Sequence, residues 1–283
     1  IKPVKAFSGQ LGFKIENAED YEKNLQVIQN EIDKFAEPFN TLLQLIDIPE
    51  ELEGIDGRHC IAEEIISGHQ CTVSGYVRDN EIVNYGIVDS VNYPNSPSFF
   101  YYMYPSNLEK SVKDRLKDIS KKVIKHIGLN NSPFNIEFFY NKESDEINLL
   151  EINPRISQSH SDLYAKVNGA SNHEILVNLS LGNRPHFKKR DGPFAYSGKF
   201  QYRLFEDGRV TNAPDEKRIR EIEEQFPDTH IHLDITEGQK LSDLEVQDSY
   251  SYCLGAFFIG GDSEKDLLRK YNQIVDELNI QID

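Results

Sequence analysis

The residue types with the most chemistry in them are concentrated in FNIEFFYNKESDEINLLEINPRISQSH, residues 134–160. Two alternating apolar stretches, 134–140 and 147–152, flank the polar turn 142–146 and predict an antiparallel pair of strands. In the second stretch, alternation puts Leu149, Glu151 and Asn153 on one face and Leu150 and Ile152 on the other. Glu137 on the partner strand can face the same way. Two carboxylates and an amide oxygen meeting across a hairpin form a hard, oxygen-rich site. Magnesium shared with a phosphate chain suits such a site, because it binds through a few carboxylates plus substrate oxygens. Arg155, two residues beyond Asn153, is placed to offer phosphate oxygens a planar donor. An acidic strand residue usually faces water, which would account for any one of these side chains alone. Three oxygen ligands on one face of an otherwise apolar strand require another account.

A second phosphate-binding pattern opens the chain. Ser8, Gly9 and Gly12 lie in a small-residue loop after IKPVKAF, where backbone N–H groups can approach phosphate oxygens that a Cβ would exclude. Lys2 adds a point charge; taken singly, Lys2 reads as a surface lysine and Gly9 and Gly12 as a plain turn. No GxxxxGK[ST] string occurs, which excludes a P-loop nucleotidase. The opening segment reads as an apolar strand with no lead-in, and the expectation is that residues precede Ile1.

The elements that must position these groups follow from periodicity and punctuation. A helix is predicted from 17 or 19 to 35, with Pro38 as its stop. Strands are predicted at 59–66, 70–78 and 81–89, the last two joined by a hairpin across Asp79-Asn80. A long amphipathic helix over 107–127 ends at Gly128. A helix over 172–181 closes at Gly182, and the basic Pro/Gly-bearing stretch 184–193 reads as a linker. Beyond it come strands at 197–205, 230–235 and 251–259 and helices at 215–225 and 264–278. A chain of 283 residues exceeds what one core usually serves, and the linker divides it into 1–185 and 186–283.

Charge excludes whole classes of partner. With 31 basic against 47 acidic residues, the net charge is −16, and no basic face for duplex nucleic acid is built. No run approaches the roughly 20 apolar residues of a membrane-spanning helix. Cys60, Cys71 and Cys253 are an odd, scattered set without CxxC spacing, so neither a disulfide framework nor a structural zinc site is expected, and a reduced cytoplasm is the expected location.

The same strings resemble a family. The acidic strand residue followed by Glu151-Ile-Asn153-Pro-Arg155 is similar to the second half of the ATP-grasp ligases. Lys2 then resembles their phosphate-reaching lysine, and Ser8–Gly12 the loop over the phosphates. The run 61–68, with Glu63, Glu64, Ile65 and Ile66, resembles the hinge strand that meets adenine and ribose. The resemblance spans residues 1–182 in order and spacing. It implies an α+β fold of ATP-grasp type, with antiparallel sheets, flanking helices and a smaller C-terminal α+β domain. It also implies ATP and Mg²⁺ as cofactors, the metal held by Glu137, Glu151 and Asn153. Two departures stand out. Gln70 occupies the position where many relatives place a ribose-binding glutamate, and the N-terminal domain of the family, with its first phosphate lysine, would lie ahead of Ile1.

The C-terminal strings KFQYRLFED (199–207) and DSYSYCLG (248–255) resemble the corresponding domain of biotin-carboxylase-like members. Arg203 matches an arginine that points into their active site; a solvated strand arginine is the other reading. Ser159 stands where the carboxylases carry a glutamate before the histidine, and serine without a partner base cannot take a proton from bicarbonate. His160 is read as a structural hydrogen-bond donor, with orientation of a phosphate or a substrate carboxylate as the alternative.

The expected function is an ATP-dependent carboxylate–amine ligase working through an acyl phosphate, with Arg155 and Arg203 as catalytic residues. Its partners would be a small-molecule carboxylate and an amine, with no nucleic acid and no membrane, and a homodimer is compatible with the chain. The alternatives are a catalytically silent nucleotide-binding module and a bicarbonate-using, carboxylase-like enzyme. Adenine is expected between two strand layers beside residues 63–66.

Overall fold

The computed structural model describes residues 1–5, 10–244 and 247–283, so Ser8 and Gly9 of the phosphate loop lie outside the described residues. The chain forms two compact units. One comprises residues 1–65 and 242–252, the other 66–241 and 253–283.

In the first unit, β1 (Lys2–Pro3) pairs antiparallel with β2 (Cys60–Ile61), Lys2 lying opposite Ile61. Helix α1 (Ala18–Glu31) is capped by Asn17, whose side chain accepts from the Asp20 amide at 2.9 Å. Leu11, Ile28, Ile32 and Phe35 form a small core with Ile1, Phe13 and Cys60 at its margin. Two expectations are corrected here. Pro38 does not stop a helix: it lies inside α2 (Asp33–Leu43), whose buried Phe35 and Ala36 anchor the turn ahead of it. The strand predicted over 59–66 shortens to Cys60–Ile61, because β1 offers only two residues of backbone to pair with. Glu63, Glu64 and Ile65 therefore sit in exposed, irregular chain.

The second unit is built on one eight-stranded sheet. Its strands are β3 (His69–Arg78), β4 (Glu81–Asn92), β5 (Phe99–Tyr104), β6 (Ser132–Asn141), β7 (Glu146–Asn153), β8 (Tyr196–Leu204), β10 (His230–Leu233) and β11 (Tyr252–Gly261). They lie in the order β10-β11-β8-β5-β4-β3-β6-β7, while the short β9 (Val210–Asn212) and β12 (Gln281–Ile282) pair separately. The β3–β4 hairpin turns at Asp79 and Asn80, both at positive φ (47° and 65°), which a two-residue turn between right-twisted strands demands.

One face of the sheet is apolar. Helix α3 (Lys110–Ile127) lays Val112, Leu116 and Ile124 on Val73, Ile87, Phe134, Ile136 and Phe138. Gly128 then closes it at φ 70°, as its position in the sequence predicts. Farther along that face, α6 (Glu216–Gln225) and α7 (Glu264–Leu278) bury Ile222, Leu267, Tyr271 and Ile274 against Tyr101, Met103, Phe200 and Phe257. On the opposite face, helices α4 (Ser161–Asn168) and α5 (Asn172–Ser180) pack Leu163, Tyr164, Val167 and Ile175 onto Tyr76, Val88 and Tyr104.

A division at residue 185 does not match the packing. Strand β8 hydrogen-bonds to β5, with Tyr102 opposite Lys199, so residues on both sides of 185 share one sheet. The stretch 184–193 is also tied down. The Gly192 and Phe194 amides donate to the Val167 and Lys166 carbonyls at 3.1 and 3.2 Å, and the Arg190 amide donates to Asn168 Oδ1 at 3.0 Å. Helix α5 starts in a capping box formed by Ser171 and Glu174. Ser171→Ala should lower unfolding free energy by about 1 kcal/mol, read as a shift in the urea midpoint at unchanged m.

Candidate functional site

Register decides which side chains meet on the part of the second face beyond α4 and α5. In an antiparallel ladder, directly opposed residues share a face. Glu137 is opposite Glu151 on β7 and opposite Thr72 on β3; one step along, Asn135 is opposite Asn153. The two carboxylates and the Asn153 amide thus lie on the same side of the hairpin. Glu151 is exposed, Glu137 half-buried and Asn153 buried. Gln70, only 8% exposed, donates from Nε2 to Glu137 Oε2 at 3.3 Å. The amide that sequence assigns to a ribose is here bonded to one of the candidate metal ligands.

The site continues across the sheet. Gln70 is opposite Ser90, Ser90 opposite Tyr102, and Tyr102 opposite Lys199. These side chains form one polar row running from β3 to β8. A cavity of about 250 Å³ opens at its β3–β4 end, lined by Gly68, Gln70, Ser90, Asn92 and Phe139 among others. Gly68 is fixed by geometry: at φ 132°, an added Cβ would stand 2.5 Å from the Tyr140 carbonyl oxygen. Tyr102 is a member of this row that sequence reading passed over. Burial pushes its phenol well above the usual range, and the nearby Glu137 charge adds to this while Arg203 opposes it.

The two arginines have distinct settings. The Arg155 carbonyl accepts from Asn135 Nδ2 at 2.8 Å, which pins the chain just after Asn153, while its guanidinium is exposed and donates to the Ile156 carbonyl at 3.2 Å. Arg203 is half-buried on β8. Its guanidinium is held by Gln201 Oε1, with Nε at 3.1 Å, and its amide donates to the Tyr93 hydroxyl at 3.2 Å. In the first unit, Lys2 Nζ forms an ion pair with Glu63 Oε2 at 2.6 Å. Both partners are nearly half exposed, so the pair contributes little stability and leaves the ammonium free to exchange partners. Gly12 is half-buried in the irregular segment before Phe13, which exchanges both of its backbone bonds with Ile1 at 2.9 Å. Ile66 is half-buried in the second unit.

His160 closes the row from above. It is 3% exposed, packs edge-on to Tyr102 with ring centroids 5.4 Å apart, and leaves Nδ1 without a partner among the described residues. Burial, helped by the Lys199 charge, pushes its pKa down to about 3, so the ring is neutral at physiological pH.

The donor set fits Mg²⁺. No group of three His, Cys, Asp or Glu suited to a metal occurs among the described residues. What the hairpin offers instead is two facing carboxylates and one amide, which leaves coordination positions for phosphate oxygens.

Comparison with known proteins agrees with this geometry. A family model described as an ATP-grasp domain matches residues 1–162. Over 68 residues, 24% of this chain, the sequence is 38% identical to the carbamoyl phosphate synthase large chain of Arthrobacter sp. (strain FB24), a match that spans 6% of that protein. Among solved structures, biotin carboxylase from Campylobacter jejuni matches with a TM-score of 0.59 at 16% identity, covering 97% of this chain and 56% of that one. Phosphoribosylglycinamide synthetase from Anaerococcus prevotii matches with a TM-score of 0.60 at 16% identity, covering 94% and 74%. At such identities these two likenesses are of fold, and the shared fold is the α+β architecture described above. Match, fold and paired carboxylates coincide on one segment: the chain belongs to the ATP-grasp family.

Proposed function

We propose that the chain binds Mg·ATP and serves an ATP-dependent carboxylate–amine ligase. The observation that carries this reading is the Glu137–Glu151 pair, directly opposed with Asn153 on the same face, in a chain of the ATP-grasp family. Its similar proteins bear the names of a carbamoyl phosphate synthase, a phosphoribosylglycinamide synthetase and a biotin carboxylase. In the proposed reaction, a substrate carboxylate oxygen bonds to the γ-phosphorus as the bond to the ADP oxygen breaks. The amine nitrogen then bonds to the acyl carbon, phosphate leaves, and the amine proton passes to solvent.

Magnesium held by Glu137, Glu151 and Asn153 would supply positive charge against the phosphate oxygens. The chain's own residues do the positioning. Gln70 holds the Glu137 carboxylate in place, Asn135 holds the backbone at Arg155, and the exposed Arg155 guanidinium is available to a transferring phosphoryl group. Lys2 would exchange Glu63 for nucleotide phosphate, and Gly12 with Ser8 and Gly9 would line it. Residues 63–66 would receive the adenine. The carboxylase reading is less well supplied, since Ser159 accepts from Lys199 Nζ and offers no base.

ADP release should be stimulated by particular pairs drawn from a pool of amino acids and small carboxylic acids, and hydroxylamine should trap the acyl phosphate as a hydroxamate. ADP release driven by bicarbonate alone would point to the carboxylase instead. Arg203→Ala should slow turnover at least about tenfold, equivalent to about 1.4 kcal/mol, with little change in ATP affinity. Wild-type kinetics in that variant would leave Arg203 as a brace for β8.

A further inference from the structure

Lys199 has a setting that the reaction above does not use. It stands on β8 in the polar row, opposite Tyr102 and on the face that carries Glu137 and Glu151. Its ammonium donates to Ser159 Oγ at 3.0 Å and lies 5.5 Å from the centre of the Phe258 ring. Among the described residues no carboxylate lies within ion-pair distance of it. Cys253 and then Asp234 attract it, and Arg203 repels it. Burial pushes its pKa down, the mark of an ammonium that has lost water. In a chain with 47 acidic residues, a desolvated lysine with no carboxylate at ion-pair distance among the described residues is conspicuous. Beside it sits His160, neutral and buried, with Nδ1 unpartnered. A buried cation with no carboxylate at ion-pair distance can balance a monoanion, and Ser159 and His160 beside it are neutral hydrogen-bonding groups.

We propose that Lys199, with Ser159 and His160 beside it, forms a subsite for the carboxylate of an amino acid, which serves as the amine substrate. The assignment of that amino acid as nucleophile rests on the ligase reading; the subsite itself does not. Four strand spacings separate β8 from β6, roughly 19 Å between backbones. The lysine and glutamate side chains shorten that span, and Tyr102, Ser90 and Gln70 lie on the face between them.

The test is saturation-transfer NMR on the chain with the twenty L-amino acids, each beside its amide, and with inorganic phosphate. At least one amino acid should bind, and its amide, lacking the carboxylate, should bind at least tenfold more weakly. Lys199→Met should weaken the amino acid at least tenfold at unchanged circular dichroism. If that variant does not fold, Lys199→Gln carries the same expectation. Equal binding by a folded variant, binding of no amino acid, or Lys199-dependent binding of phosphate alone would each overturn the proposal. Lys199-dependent binding without ADP release from any substrate pair would keep the subsite and remove the ligase reading. The converse result would do the opposite.

Discussion

Glu151→Gln should reduce Mg·ATP-dependent turnover by about two orders of magnitude or more while leaving the thermal midpoint nearly unchanged. The side chain is exposed and opposite Glu137, so the amide fits the same space and disturbs no packing. What is removed is one of two negative charges facing the same side, and with it most of the affinity for a hard divalent cation. Losing a single electrostatic stabiliser of a transition state typically costs 10²–10³ in rate, about 2.7–4 kcal/mol. Steady-state ADP release at saturating ATP, with a melting curve of the same preparation, checks both halves. A large fall in melting temperature would instead make the carboxylate pair part of the scaffold.

The second large effect concerns acid. His160 has its pKa pushed from 6.5 to about 3 by burial, so the folded chain resists a proton that the unfolded chain accepts. Stability contributed in this way is fully present above pH 6.5. It falls as pH drops through the window down to about 3, because there the unfolded state binds one more proton. The slope is about 1.4 kcal/mol per pH unit, so by pH 4 the loss from this one group approaches about 3 kcal/mol. Urea unfolding of wild type and His160→Gln at several pH values between 4 and 7 isolates it. The variant should start less stable at neutral pH and lose stability more slowly on acidification. Parallel curves would show that His160 is protonated in the folded state.

Several of these features were legible in the residue pattern. The β6–β7 hairpin was readable because apolar alternation is interrupted by one polar turn, and the shared face of Glu137, Glu151 and Asn153 followed from a period of two. Helix α3 was readable from its long apolar stripe and its closing glycine. Strand β5 was not, because FFYYMY is aromatic on both faces and its alternation is invisible until α7 is known to cover one side and Tyr102 to face the other. Helix α4, eight residues long and without a side-chain cap, carries no start signal. The hinge was over-read as a strand since an alternating sequence says nothing about whether a partner backbone is available. Lys199 stood in a recognised string, but its setting depends on Ser159, 40 positions earlier, and on there being no carboxylate at ion-pair distance among the described residues.

Strand β7 has one more consequence. It is the outermost strand of the sheet beside β6, so among the described residues one side of its backbone has no ladder partner. Its sequence, EINLLEIN, is rich in the apolar residues that recruit a foreign strand, and Leu149 is among the exposed large hydrophobics. Glu146 and Glu151 are the charges that interrupt it, and both are exposed. The carboxylate that would hold a cation therefore also guards an open edge against self-association. Occupancy of the site would partly silence that guard, so that solubility and metal loading pull on the same side chain.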